Sequence, residues 1–259
     1  MKLIKVVDEP IKIELSVCGR VAAGYPAEAY NYIENNIDLN RYIIRNKSQT
    51  RCLWSTHSGL TGEGISLTDL LVIDKGVKPK ESSILLFWYD GEYTLRRIVN
   101  HSDHVELVSI NPDIKAIIYS KDESAQQLGV LTFAIKKFFI SKDLKKETHN
   151  FIEEGIDFNN YILSEWWETC FLLWCGGDSM SGDGIEKGDL LVIDRLKDPY
   201  EDSIQVFYLN REFTMKRVTH KKDHYELISS NPDMKPIIID KSDNLQRWGV
   251  LTCAIKKYI

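Results

Sequence analysis

The feature that most constrains this chain is that it contains itself twice. Leu70–Asp74 reads LLVID, and so does Leu190–Asp194. Asn111-Pro112-Asp113 recurs as Asn231-Pro232-Asp233, Gly129–Thr132 as Gly249–Thr252, and Ile135–Lys137 as Ile255–Lys257. All four pairs share one offset of 120 residues. From Arg51 to Phe138 the copies align without a gap, with roughly 40 identities in about 88 positions. Upstream, Ile33–Tyr42 matches Ile152–Tyr161 at an offset of 119. The period is far longer than the roughly 20–50 residues of a solenoid unit. It is the length of a domain, so two homologous domains are expected. The expected division is an arm (1–24), a first copy (25–140), a polar joint SKDLKKETHN (141–150) and a second copy (151–259).

Within each copy the pattern is mostly β. Asp69–Asp74, Ser83–Tyr89, Glu92–Val99 and Val105–Ser109 are short runs rich in branched and aromatic residues. Asp90-Gly91 between two of them reads as a hairpin turn. A helical patch is expected at Ala27–Asn35, where Ala29, Tyr30 and Ile33 share a face. The expected fold is therefore a compact β domain with short helices, used twice.

Composition excludes several classes of function. The hydrophobic share of 43% is enough for a real core, and the net charge of −5 disfavours a protein that coats nucleic acid. No apolar run approaches a membrane span, and Asp8 and Glu9 stand where an export signal would be apolar. The five cysteines are odd in number and form no CxxC pair, which points away from a disulfide framework or zinc ribbon and towards a reducing cytoplasm. No cofactor is expected. Asp74 and Asp194 are expected to anchor turns. Trp54, Trp174, Phe87 and Phe207 are expected in the core. His104 and His224, repeat equivalents within Asp-His-x-Glu-Leu, are expected to share a structural role and not to ligate a metal.

The chemistry-bearing residues lie in the second copy. Gly176-Gly177-Asp178-Ser179-Met180 follows the apolar run Cys170–Cys175, and Lys216 lies in the strand-like run Phe213–Arg217. A serine hydroxyl is a weak nucleophile until a base takes its proton. Glycines before it permit a sharp turn, and the turn can aim the Asp178 and Ser179 amides at a developing oxyanion. Lysine serves as the base only when neutral, which requires an apolar setting. By themselves these residues also fit an ordinary surface turn and a solvated strand lysine.

Five blocks occur in order: GDSM, GI with GDLLVID, EFTMKR, SSNPDMKPI and WGVLT. Together they resemble the peptidase domain of the LexA/UmuD family of self-cleaving SOS-response proteins, across nearly all of each copy. The resemblance implies a mostly β fold and a Ser–Lys dyad that cuts the protein's own N-terminal arm. By motif, the nucleophile would be Ser179 and the base Lys216. The first copy has Gly59 opposite Ser179 and Arg96 opposite Lys216. Glycine carries no nucleophile, and arginine stays protonated. The first copy thus reads as a peptidase shape without the chemistry.

The arm carries the reverse asymmetry. Val17–Pro26, VCGRVAAGYP, resembles the family's scissile segment, with Ala23–Gly24 as the target bond and Cys18–Gly19 as a weaker candidate. The equivalent positions before the second copy, Lys142–Lys145, hold no such pair. Since the family works as dimers, the chain resembles such a dimer fused into one polypeptide, with the arm of the inactive half presented to the active half. Cleavage would release the segment before Gly24. The resemblance also implies as partners the RecA–single-stranded DNA filament, which stimulates self-cleavage in the family, and an error-prone DNA polymerase. An alternative of a different class is a non-catalytic UmuD-like interaction module or regulatory subunit of such a polymerase. An arm this short cannot hold a helix-turn-helix domain, so a repressor is disfavoured. Direct DNA binding and a membrane partner are not expected.

Overall fold

The structure, a computed structural model, describes residues 3–21, 34–56, 63–109, 111, 113–120, 126–138, 155–209, 212–243 and 245–259. In chain order its strands are β1 (Leu15–Val21), β2 (Glu34–Ile37), β3 (Thr50–Trp54), β4 (Leu70–Asp74), β5 (Leu85–Tyr89), β6 (Glu92–Asn100), β7 (His104–Val108), β8 (Ile117–Ser120) and β9 (Gln126–Lys137). The second copy contributes β10 (Cys170–Cys175), β11 (Leu190–Asp194), β12 (Gln205–Leu209), β13 (Glu212–His220), β14 (His224–Ile228), β15 (Ile237–Asp240) and β16 (Gln246–Lys257). Among the described residues there are also two short α-helices, α1 (Leu39–Ile43) and α2 (Phe158–Leu163), and 3₁₀ turns at Ser164–Thr169 and Ser181–Asp183. The mostly β class and the tandem arrangement agree with the repeat read from the sequence.

The strands expected in the first copy fall where β4 to β7 lie, to within two residues. Between β5 and β6, Asp90 and Gly91 both take positive φ (49° and 79°), the backbone that a two-residue primed hairpin turn demands. The LLVID runs are buried at all five positions because each strand is covered on both faces. Asp74 and Asp194 turn the chain after these strands by accepting from the amides of Gly76 (2.7 Å) and Leu196 (3.0 Å).

The two copies meet about a pseudo-twofold axis. β9 and β16 pair antiparallel, and Ile135 lies opposite Ile255, its own repeat equivalent. The hydrogen-bonded path therefore runs unbroken from β15 through β16 and β9 to β8. A second reciprocal contact joins the helices. Asn159 accepts from the Leu39 amide (3.1 Å) and donates to Asp38, while Asn40 accepts from the Phe158 amide (2.7 Å) and donates to Asp157. Asp38 also caps its own helix through the Arg41 amide, as Asp157 does through the Asn160 amide. Each helix start is thus completed by the other copy, and Asn40 and Asn159 are buried with their polar groups satisfied.

These caps explain a departure from the expected helix at Ala27–Asn35. Residues 27–33 of that patch lie outside the described residues, but Glu34 and Asn35 begin a strand, and the helix starts at Leu39. The signal that wins is Asp38 followed by partners more than a hundred residues away, which a local periodicity cannot register.

Residues 3–21 are built into the core. Ile4 bridges Cys52 of the first copy with two backbone hydrogen bonds of 2.8 Å, and Val6 bridges Ile156 of the second. Ile4, Val6, Leu15 and Val17 are buried in one cluster with Leu70, Leu190 and both helices. β1 pairs antiparallel with β2 and parallel with β10 of the second copy. The described part of the arm is tied to both copies by the bridges at Ile4 and Val6 and ends in strand β1.

Candidate active site

β10 ends at Cys175, and the chain then turns through Gly176, Gly177 and Asp178 to Ser179. The turn closes through the Ser181 amide on the Asp178 carbonyl (3.0 Å). It is held from outside by Asn231, whose amide donates to the Ser179 carbonyl (3.1 Å) and whose side chain donates to the Asp178 carbonyl (3.3 Å). A short 3₁₀ turn, Ser181–Asp183, follows. A Cβ on Gly182 would stand 2.3 Å from the Ser230 carbonyl oxygen, so only glycine lets the two loops touch. Asn231 and Gly182 together fix where Ser179 points.

Ser179 is fully buried, and Lys216, on β13, is 3% exposed. Both side chains converge on one atom. The Lys216 Nζ donates to the Met215 carbonyl at 3.1 Å, and the Ser179 Oγ lies 3.5 Å from that same oxygen. Cys175 and Asp178 are close enough to act on the Lys216 ammonium, and Met215 and Phe213 alternate with it along β13. Burial pushes the Lys216 ammonium down to about 8, against the weaker opposing pull of Cys175 and Asp178. Among the described residues no carboxylate lies within 4.0 Å of it. At pH 7 about a tenth of the amine is then neutral, against well under a thousandth for an ordinary lysine, and a general base requires the neutral form. Among the described residues no hydrogen bond from the Asp178 or Ser179 amide is found.

The neighbouring cation does different work. Arg217 forms a two-pronged pair with Asp183 (2.6 and 2.7 Å) and donates to the Asp202 carbonyl (3.0 Å). In the first copy Arg97 makes the equivalent contacts with Glu63 and the Ser82 carbonyl. This brace is common to both copies and separate from Ser179. In the position of Lys216 the first copy has Arg96, whose Nε donates to Thr94 (3.0 Å). Gly59 and Ser58 lie outside the described residues.

The arm approaches the second copy. β1 runs in the same direction as β10, with Val17 opposite Leu172, Arg20 opposite Trp174 and Val21 opposite Cys175. It also touches β13, the strand of Lys216. Both β1 and β10 therefore head towards the turn that carries Ser179. The expected target, Ala23 and Gly24, lies outside the described residues. Cys18–Gly19, the weaker candidate, lies inside β1, at the register irregularity between Val17 and Arg20.

The comparisons with known proteins fit this arrangement. The sequence model of the Peptidase S24-like family matches residues 16–132 and again residues 141–252. The chain belongs to the Peptidase S24-like family. Its relatives include Protein SamA of Salmonella typhimurium, 33% identical over 118 residues, which are 46% of this chain and 81% of that protein. Protein ImpA of Escherichia coli is 31% identical over 119 residues, 46% of this chain and 80% of that protein. The LexA repressor of Syntrophotalea carbinolica is 38% identical over 88 residues, 34% of this chain and 44% of the repressor. Relatives of the SamA and ImpA kind are thus spanned almost whole by less than half of this chain. That is what two S24 units in one polypeptide require.

Sequence reasoning named Ser179, Lys216 and the two amides from the family's motifs, and it missed the Met215 carbonyl and the Asn231 clamp. The Asn-Pro-Asp block was visible as a repeat, but only folding brings it against the serine turn. Among the residues set aside, Phe87 and Phe207 are buried and Trp54 and Trp174 pack on the main core. His104 and His224 each hydrogen-bond the preceding aspartate at 2.9 Å, a shared local role. Among the described residues no helix is long and apolar enough to cross a membrane.

Proposed function

We propose that this S24-family protein is a self-cleaving peptidase whose second copy cuts the arm preceding its first copy, at Ala23–Gly24. Neutral Lys216 takes the proton from the Ser179 Oγ, which adds to the Ala23 carbonyl carbon. The resulting oxyanion is held by the Asp178 and Ser179 amides. Lys216 then passes its proton to the departing Gly24 nitrogen, and water hydrolyses the Ala23 ester to free Ser179. The reading is carried by one observation: β1 lies parallel along β10, so its end at Val21, opposite Cys175, stands beside the strand that leads into the Ser179 turn. Enzyme and substrate share one chain, so the encounter is intramolecular and needs no second molecule.

The test follows intact mass of the purified full chain at pH 7 and pH 10, with and without RecA filament on single-stranded DNA. Wild type is expected to lose the N-terminal peptide, faster at pH 10. Ser179→Ala and Lys216→Ala are expected to stay whole. Loss of the peptide from Ser179→Ala would overturn the assignment. A wild-type chain intact under every condition would favour the second reading, a binding module. That reading draws on the first copy, which keeps the fold and the Arg97–Glu63 brace although Arg96 stands where a base would be.

A further inference from the structure

The β6–β7 hairpin of the first copy brings together three groups that the peptidase reading does not use. The hairpin turn is closed by the His101 amide on the His104 carbonyl (3.0 Å). It lays the two imidazoles face to face, with centroids 4.3 Å apart. Glu106 is two residues beyond His104 on β7, so it shares the same face of the strand. The His101 Nε2 lies 3.3 Å from one Glu106 oxygen, and the His104 Nε2 lies 3.9 Å from the other. One donor atom from each of the three residues falls within 4.8 Å of the others. Ligands bound at zinc–nitrogen and zinc–oxygen lengths around a tetrahedral ion stand about 3.3 Å apart, so the spacing suits such an ion.

The orientation of His104 is already set. Its Nδ1 is bonded to the Asp103 carboxylate at 2.9 Å, which leaves Nε2 with its lone pair facing Glu106. A carboxylate behind a ligating histidine is the outer partner that fixes tautomer and raises basicity in metal sites. The second copy supplies a natural contrast. Asp223, His224 and Glu226 repeat the arrangement, with bonds of 2.9 and 3.5 Å. Lys221 replaces His101 there and pairs with Glu226 at 3.4 Å. A protonated lysine is no ligand and occupies the carboxylate.

Against the purely structural role expected of His104 from the sequence, we propose that the first copy's hairpin binds one divalent transition-metal ion of the zinc or nickel kind through His101, His104 and Glu106. Two imidazoles and one carboxylate are the donor set such borderline ions prefer, and open positions remain for water. The rings are near-parallel (12°), and lone pairs lie in the ring planes. Binding therefore turns His101, the most exposed of the three, out of the stack towards His104 and Glu106.

The test uses the full chain carrying Ser179→Ala, so that cleavage does not interfere. It is dialysed against zinc chloride for metal content and titrated with cobalt(II) for visible absorption. One ion per chain is expected, with ligand-field bands of nitrogen and oxygen donors and no thiolate charge-transfer band. His101→Lys places the second hairpin's residue at this position and is expected to keep the fold and lose the ion. Lys221→His is expected to raise the content to two. A parent that binds no ion would overturn the proposal. So would a His101→Lys chain that keeps its ion, a Lys221→His chain that gains none, or a thiolate band showing that the cysteines hold the metal.

Discussion

Replacing Lys216 by methionine, in a Ser179→Ala background that keeps the arm attached, should make the protein more stable at neutral pH. The ammonium is 3% exposed, and burial lowers it from the ordinary value of 10.5 to about 8. The unfolded chain therefore binds the proton more tightly than the folded one, and stability rises with pH between the two values. Below about pH 8 the penalty is complete, and it fades as the pH climbs towards 10.5. At 1.36 kcal/mol per pKa unit the penalty is about 3 kcal/mol at pH 7 and falls below about 1 kcal/mol at pH 10. Methionine has nearly the same length and no charge, so the variant escapes this term. Urea unfolding of both proteins at pH 7, 8, 9 and 10 measures the difference. The account predicts a gap in favour of methionine that closes with rising pH. A gap of constant size, or a methionine variant less stable at pH 7, would show that the amine is not held in an apolar site and would remove its qualification as the base.

Two further predictions concern the frame around the site. The arm carries Ile4, Val6, Leu15 and Val17 into the main core, and each such side chain contributes about 1.5–3 kcal/mol by burial. A peptide cut at Ala23 should therefore stay bound: both fragments should co-elute in native gel filtration and separate only in denaturant, and a free N-terminal peptide in buffer would contradict this. Asn159→Ala leaves the Leu39 amide and the Ile11 carbonyl without their partner, at a cost of about 2–4 kcal/mol in urea unfolding, whereas Ser48→Ala on the surface should change stability by less than about 0.5 kcal/mol; equal effects would deny the reciprocal caps their role.

Much of this was legible in the sequence because it is local or repeated. The LLVID strands, the Asp90-Gly91 hairpin and the turn-anchoring Asp74 and Asp194 are set by neighbours a few residues away. The offset of 120 already pairs Ile135 with Ile255, although only the fold shows that these equivalents face each other across the axis. What escaped is non-local. The start of α1 depends on Asn159, and β1 depends on a parallel partner more than 150 residues away. No periodicity within the arm announces either contact. At the site, Ser179 and Lys216 were named by resemblance, while spacing alone left them an ordinary turn and a solvated lysine. The burial of Lys216 and the shared Met215 carbonyl arise only when the fold brings β13 and the serine turn together. The sequence could not carry that information. His101 was readable as one of several differences between the two Asp-His-x-Glu hairpins, since Ser102 stands opposite Lys222 and Val105 opposite Tyr225 as well.

The most direct measurement is the half-time of arm loss by the wild-type chain over a hundredfold dilution at fixed pH. Serine, lysine and arm are placed in one molecule, so the half-time should not change with concentration, and the new N-terminus should be Gly24. A half-time that lengthens in proportion to dilution, or a cut elsewhere, would contradict delivery of the arm to the second copy of its own chain.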